Sequence, residues 1–386
     1  MFLTTQIINL AKQHRVSLIV TLITLIFISL LSMPTLLNSE DGALSFAFIG
    51  TRFSEGVASE DGGTTGYDGQ FAYFIARDGA DAVPYIDGAS LRYQRIIYPL
   101  TARVLSLGQE NLVPWTLLLV NIVAFSVSVG ALSYLLKEMG VSGYYALIYM
   151  FWIGNLFAIR FDLNEPLCFM FAIFAIIAYR REHYRWTIFL LILSTLTKEL
   201  GLVIAGGLSF HAFFQRKWGW SILLFGAPLS AFLLWWLVMK AWLGTLPTIY
   251  PSAKLHLIPF QGMFSILTDQ PELSSGEAGI QFGFTVVWVG IPALVLVLLA
   301  LWTIWKRRSL SMTNALILSC CGFVITMPDV SWQDQVAVYR VALPLVVGGI
   351  LFLGQMYPNR LKLLALLWMP TAIIVLLIPD LWLGAS

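Results

Sequence analysis

Long apolar stretches alternate with short polar ones along almost the whole of the 386-residue chain. Eleven stretches are candidate membrane spans: 16–37, 111–136, 143–159, 165–179, 186–197, 199–214, 218–243, 282–305, 311–327, 338–356 and 362–383. Continuous apolar runs of this kind suit helices and not the two-residue alternation of a barrel. The pattern predicts an all-α, polytopic integral membrane protein, one transmembrane domain over residues 1–386, with no soluble domain of ordinary size between its spans. Two longer polar segments interrupt it, a first loop at 38–110 and a second at 244–281. Inside the first loop, GYDGQFAYFIARD (66–78) predicts a short helix from Gln70 to Arg77. LRYQRIIYPL (91–100) opens an amphipathic helix from Arg92 to Leu107, bent at Pro99. Its apolar stripe is Tyr93, Ile97, Leu100, Val104 and Leu107, with Arg92, Arg95 and Arg103 on an adjacent face. Both helices are expected to lie at the membrane surface.

Composition agrees with the pattern. The chain is 58% hydrophobic and 11% charged, against about 25% charged in soluble domains, and its mean hydropathy is +0.80. The net charge of +2 matters less than its distribution. With the N-terminus in the cytoplasm, the inner segments carry 13 basic residues against only Glu138 and Glu182, leaving 10 basic and 19 acidic residues outside. That division follows the positive-inside rule. It also makes 186–214 a hairpin rather than one long helix, because basic residues stand at both of its ends. Each arm has 12–16 residues, roughly 18–24 Å of helix against a bilayer core of about 30 Å. The tip Thr197-Lys198-Glu199 therefore sits partly at membrane depth. A second short hairpin, 143–179, has Arg160, Asp162 and Glu165 at its tip. Charges at that depth pair or face a water-filled cavity, and two tips opening beside the first loop imply a shared polar cavity. The first span is an uncleaved anchor, with no small-residue cleavage site after it. Cys168, Cys320 and Cys321 fall within spans and read as small apolar packing residues.

Several residues carry candidate chemistry. Asp68, set between Gly66 and Gly69, is placed either to cap the following helix or to act as a general base that takes a proton from an attacking hydroxyl. Its neighbours Tyr67 and Gln70 are candidate substrate contacts. Arg92 and Arg95 belong either to a headgroup-plane helix or to a site for a lipid phosphate, for which the planar guanidinium fork is suited. Arg160, Asp162 and Glu165 either neutralise one another or line the cavity, and Lys198 and Glu199 present the same choice. Arg340, just inside a span, needs an anionic partner: Asp329, Asp334 or a lipid phosphate. The second loop, with Pro247, Pro251, Pro259, Pro271, Tyr250, Lys254 and His256, is either a lid or a plain connection, and His256 is a candidate substrate or phosphate contact. The histidines have no metal spacing, so a divalent cation, if one binds, would need oxygen ligands such as Asp68, Asp162 or Glu165. The sequence requires no cofactor and offers no nucleic-acid partner.

An acidic residue near the start of the first outer loop, surface helices after it, short hairpins with charged tips and a long later loop together resemble the GT-C fold of polyprenyl-phosphate-sugar-dependent glycosyltransferases. YDGQFAYFIARD and RYQRIIYPL are similar to segments of bacterial membrane proteins linked to cell-surface glycopolymers. The resemblance implies transfer of a sugar from a polyprenyl-phosphate donor to a glycan or lipid acceptor, at the periplasmic face of the bacterial inner membrane. It implies Asp68 as the catalytic base and Lys198, in the TKE tip, as a phosphate ligand. Asp68-Gly69-Gln70 departs from the paired acidic motif of many members. The competing expectations are a transporter or flippase of a lipid-linked sugar and a non-enzymatic component of a glycopolymer export complex.

Overall fold

A computed structural model describes residues 2–250, 254–270 and 273–377, and every regular element among them is helical. Pro251 and Pro271 of the second loop, and residues 378–383 of the last expected span, lie outside the described residues. Five helical segments are long and apolar enough to cross a membrane: His14–Asn38, Glu110–Glu138, Trp218–Leu243, Ser275–Arg307 and Gln335–Met356. The architecture is that of a multi-pass helical membrane protein. The other six expected spans fall on shorter or broken helices. Among them, 143–159 is divided into Gly143–Ala146, Leu147–Met150 and Ile153–Arg160 rather than forming one rod.

Burial separates the long helices by role. In Gln335–Met356, 89% of the apolar window is buried, against 22% in Trp218–Leu243. The former is the central post and the latter a rim helix whose Ile222, Leu234 and Leu237 face outward. Gln335–Met356 starts at Asp334, whose Oδ1 accepts from the backbone N–H groups of Val336 and Ala337 at 2.8 and 3.1 Å. A side-chain oxygen in this position satisfies donors that the first helical turn leaves open. Ser275–Arg307 begins with a capping box between Ser274 and Glu277, which carries it seven residues earlier than its apolar run suggests.

Both hairpins are present. Ile153–Arg160 and Glu165–Arg180 flank the tip 161–164, and Tyr184–Thr197 and Gly201–Phe214 flank the tip 198–200. The first tip turns through Asp162 at φ +46°, a left-handed conformation that Asp tolerates better than most residues. The second opens as Lys198 takes an extended conformation. Each arm of the second hairpin has 14 residues, about 21 Å of helix. At the far ends of these hairpins, Arg180 and Lys217 pair with Glu138 and Glu182 at 3.7 and 2.9 Å.

The first loop contains the expected helix, here Gly69–Asp78. The amphipathic helix expected over Arg92–Leu107 is instead two helices, Ala89–Tyr93 and Ile97–Leu105, with a break at Gln94–Ile96. Pro99 explains the break: it lacks an N–H, and its ring excludes a helical carbonyl four residues back, at Arg95. It occupies the first turn of the second helix rather than bending a single one. The consequence is positional, because Arg95 projects from a non-helical joint.

Candidate functional site

Asp68 stands at the turn into Gly69–Asp78, and its place depends on the absence of a side chain next to it. A Cβ on Gly69 would lie 2.0 Å from the carbonyl oxygen of Phe161, so the helix start rests directly on the first hairpin tip. Gln70, fully buried, holds the loop from inside: its Oε1 accepts from Gly50 N at 3.1 Å and its Nε2 donates to Thr65 O at 2.8 Å. Gln70 thus acts on the loop backbone and is absent from the lining of the cleft described below. Gly69→Ala is expected to push the loop off the tip and lower the melting temperature. Unchanged melting would show that the loop is not seated through this contact.

Asp68 does not cap the helix with its side chain. Its carboxylate reaches across to Arg92 Nη1 at 2.8 Å and Arg340 Nη2 at 3.5 Å. Arg92 also forks onto Asp87, with contacts of 2.8 and 2.7 Å, and lies over the Phe71 ring at 4.3 Å. Arg95 forks onto Glu199 at 3.0 and 2.7 Å, tying the joint in the first loop to the tip of the second hairpin. Lys198 Nζ donates to Glu165 Oε1 at 2.5 Å, and Arg340 Nη1 donates to the same oxygen at 3.0 Å. Glu165 is fully buried, and Lys198 and Arg340 are nearly so. Arg340 Nη2 also donates to the Tyr67 hydroxyl at 2.9 Å, which in turn donates to Asp334 Oδ2 at 2.7 Å.

Among these side chains lies one cleft, lined by Asp68, Arg92, Arg95, Glu165, Lys198 and Arg340 together with the apolar wall of Phe71, Ala72, Ile75, Pro99 and Leu163. Residues from positions 68 to 340 thus converge on it. Its electrostatics set the state of Asp68. Burial alone would raise this carboxyl, but the attraction of Arg92 and Arg340, with Arg95 and Lys198 behind them, outweighs it and holds the group well below the ordinary value of 3.8.

No family model, curated protein or solved structure matches the chain.

The remaining candidates lie elsewhere. His256 Nε2 is 2.8 Å from Asp329 Oδ1, and among the described residues none of the second loop lines the cleft. That loop instead rests on the first one: Tyr250 stands against Gly88, where a Cβ would meet its ring at 2.8 Å, and Thr245 donates to Ser90 at 3.2 Å. Arg160 donates to Ser45 O at 2.9 Å and lies among the rings of Phe46, Phe48 and Phe161. Asp162 Oδ1 accepts from Tyr98 and Asn121, both at 3.3 Å. The tip charges therefore do not simply cancel within each tip: Glu165 binds across to the other hairpin, and Glu199 to the first loop. Among the described residues no group of three or more His, Cys, Asp or Glu side chains is placed to hold a metal ion, and Asp68, Asp162 and Glu165 are not gathered as one oxygen site.

Proposed function

We propose that the chain is a membrane glycosyltransferase of GT-C type that transfers a sugar from a polyprenyl-phosphate donor to a glycan or lipid hydroxyl. The observation that carries this reading is the carboxylate of Asp68, the more exposed of the two carboxylates in the cleft lining, sharing that cleft with four cations, Arg92, Arg95, Lys198 and Arg340. A phosphate leaving group needs cationic donors where its charge develops, and an attacking hydroxyl needs a base nearby. In this reading the donor phosphate binds the arginines and Lys198. Asp68 then accepts the acceptor's proton as its oxygen attacks the anomeric carbon and the bond to phosphate breaks. A lipid-borne donor accounts for a sugar enzyme built almost wholly of apolar helices. An assay of purified protein against a panel of polyprenyl-phosphate sugars tests it, and failure with every donor would remove its basis.

The reading makes a specific statement about pH. In the empty protein Asp68 is a weak base because its carboxyl is held low. A bound phosphate brings negative charge beside Asp68 and shares its cationic neighbours, so the carboxyl should rise. The acid limb of kcat, which reports the complex, is therefore expected at higher pH than the acid limb of kcat/KM, which reports the free enzyme. Coincident limbs would separate Asp68 from proton transfer. The sign for stability is the opposite of a raised group: the folded value lies below the unfolded one. Asp68 thus stabilises the fold above about pH 3.8, and that contribution is lost as pH falls through the lowered folded value.

The same reading places the cleft on the periplasmic side, with the N-terminus in the cytoplasm and about eleven membrane passes counting the short hairpin arms. Ser59 and Ser309 are exposed on opposite sides in this topology, while the native cysteines are buried. A membrane-impermeant maleimide should label Ser59→Cys in intact cells and Ser309→Cys only after permeabilisation. The reverse pattern would invert the topology and put the cleft in the cytoplasm.

A further inference from the structure

Each of the four cations around the cleft is already engaged by a carboxylate of this chain. Arg92 is held by Asp87 and Asp68, Lys198 by Glu165, Arg340 by Glu165 and Asp68, and Arg95 by Glu199. An incoming phosphate must therefore displace a carboxylate, and the four are not equally held. Glu165 is fully buried between two cations. Asp68 is bound by two arginines. Asp87 is outside the cleft lining. Among the described residues Glu199 makes its ion pair with Arg95 alone, its side chain is 34% exposed, the most of any carboxylate that pairs with a cleft cation apart from Asp87, and it stands on the non-helical tip 198–200.

We infer that Glu199 is a built-in stand-in for the ligand: its carboxylate occupies the two N–H groups of Arg95 that a phosphate monoester or diester takes, and it swings away when one binds. The inference rests on the cleft being a phosphate site, as proposed above, and adds the residue that must yield. The geometry is suited to exchange because Arg95 presents Nε and Nη2 as a fork at 3.0 and 2.7 Å, and a carboxylate and a phosphate accept such a fork in the same way. The Arg95–Glu199 pair is partly open to solvent, whereas Glu165 lies fully buried between its two cations, so this pair is the less costly one to part. A competitor of this kind also limits how tightly a product phosphate is retained, since Glu199 re-forms its pair as the product leaves.

The test is phosphate binding by the detergent-purified full chain, measured by calorimetry in a phosphate-free buffer at fixed ionic strength. Two probes are used, inorganic phosphate and n-decyl phosphate. Glu199→Gln, which keeps the shape and removes the charge, should tighten binding roughly 10-fold. Glu199→Asp, too short to make the same fork, should tighten it less. Arg95→Gln should weaken binding and abolish the effect of Glu199→Gln in the double variant. An equal gain for both probes assigns the exchange to the phosphate group itself, and a gain confined to n-decyl phosphate assigns it to a lipid headgroup; either supports the inference. Weaker or unchanged binding in Glu199→Gln, with its melting temperature preserved, would overturn it while leaving the phosphate site intact. No binding of either probe by wild type and variants would overturn the phosphate site too.

Discussion

On the proposed mechanism, Asp68→Asn should cut sugar transfer by orders of magnitude while leaving phosphate binding in place. General-base catalysis typically contributes ~10²–10⁴-fold, and that is the fall expected in kcat. Asparagine is nearly isosteric and its carbonyl oxygen can still accept from Arg92, 2.8 Å away in the wild type. What it cannot do is take a proton. A carboxylate whose only role was to hold Arg92 and Arg340 would behave differently, since its loss would disturb the cations and weaken phosphate binding. The informative measurement is therefore the pair: kcat on a polyprenyl-phosphate sugar and affinity for n-decyl phosphate. Low kcat with retained or tighter binding supports the base. Full transfer by Asp68→Asn at normal expression would falsify the mechanism, and parallel loss of binding and turnover would reduce Asp68 to a positioning residue.

The largest stability effect is expected at Glu165→Ala. Its Oε1 accepts from both Lys198 and Arg340, and all three side chains are almost completely withdrawn from solvent. Removing the shared anion leaves two like charges buried together. Breaking a buried pair by deleting one partner costs about 3–5 kcal/mol, because the desolvated charge that remains is uncompensated. Here Arg340 keeps Asp68 at 3.5 Å and the Tyr67 hydroxyl, whereas Lys198 loses its only ion pair among the described residues. Asp87→Ala is the contrasting variant. It also removes an arginine's bidentate partner, but Asp87 is 36% exposed and Arg92 retains Asp68, so a change of only ~0–1 kcal/mol is expected. Thermal unfolding in one detergent compares the two directly. Equal melting shifts would mean that water reaches Glu165 and that the tip is not a dry ion triad.

The parts of this arrangement that were legible in the sequence are those set by local chemistry. Trp218–Leu243 matches its apolar run at both ends because Lys217 precedes it and Gly244, in the left-handed conformation, ends it. The hairpin at 184–214 follows from the basic residues at both ends and the polar tip between them. Two local signals were present but outweighed by hydropathy: Ser274 with Glu277, and Asp334 ahead of Gln335, each a cap that starts a helix before its apolar run. Pro99 signals a disruption of the helix, yet a proline in the first turn is tolerated there and starts a helix instead of bending it.

The pairings were not legible, and the reason is physical. A charge at a hairpin tip must find a partner, but local sequence does not say which one, since the choice is made by tertiary placement. Arg340 illustrates it. Asp329 and Asp334 were its nearest acidic neighbours along the chain, yet it binds Glu165, 175 positions away, and Asp68, 272 away. Asp334 touches it only through Tyr67, and Asp329 is engaged with His256.

The buried helix Leu343–Met356 carries paired glycines at Gly348 and Gly349. A Cβ at Gly348 would come within 3.1 Å of Cys320 Sγ, and one at Gly349 within 3.1 Å of Leu296 and 3.3 Å of Trp368. Added methyl groups would require those side chains to give by a few tenths of an ångström. The rim helix Trp218–Leu243, by contrast, presents most of its surface to surroundings that rearrange freely. Changes of side-chain size along the rim helix therefore meet no packed neighbour at Ile222, Leu234 or Leu237, whereas at the glycine pair each one is passed on to Cys320, Leu296 and Trp368.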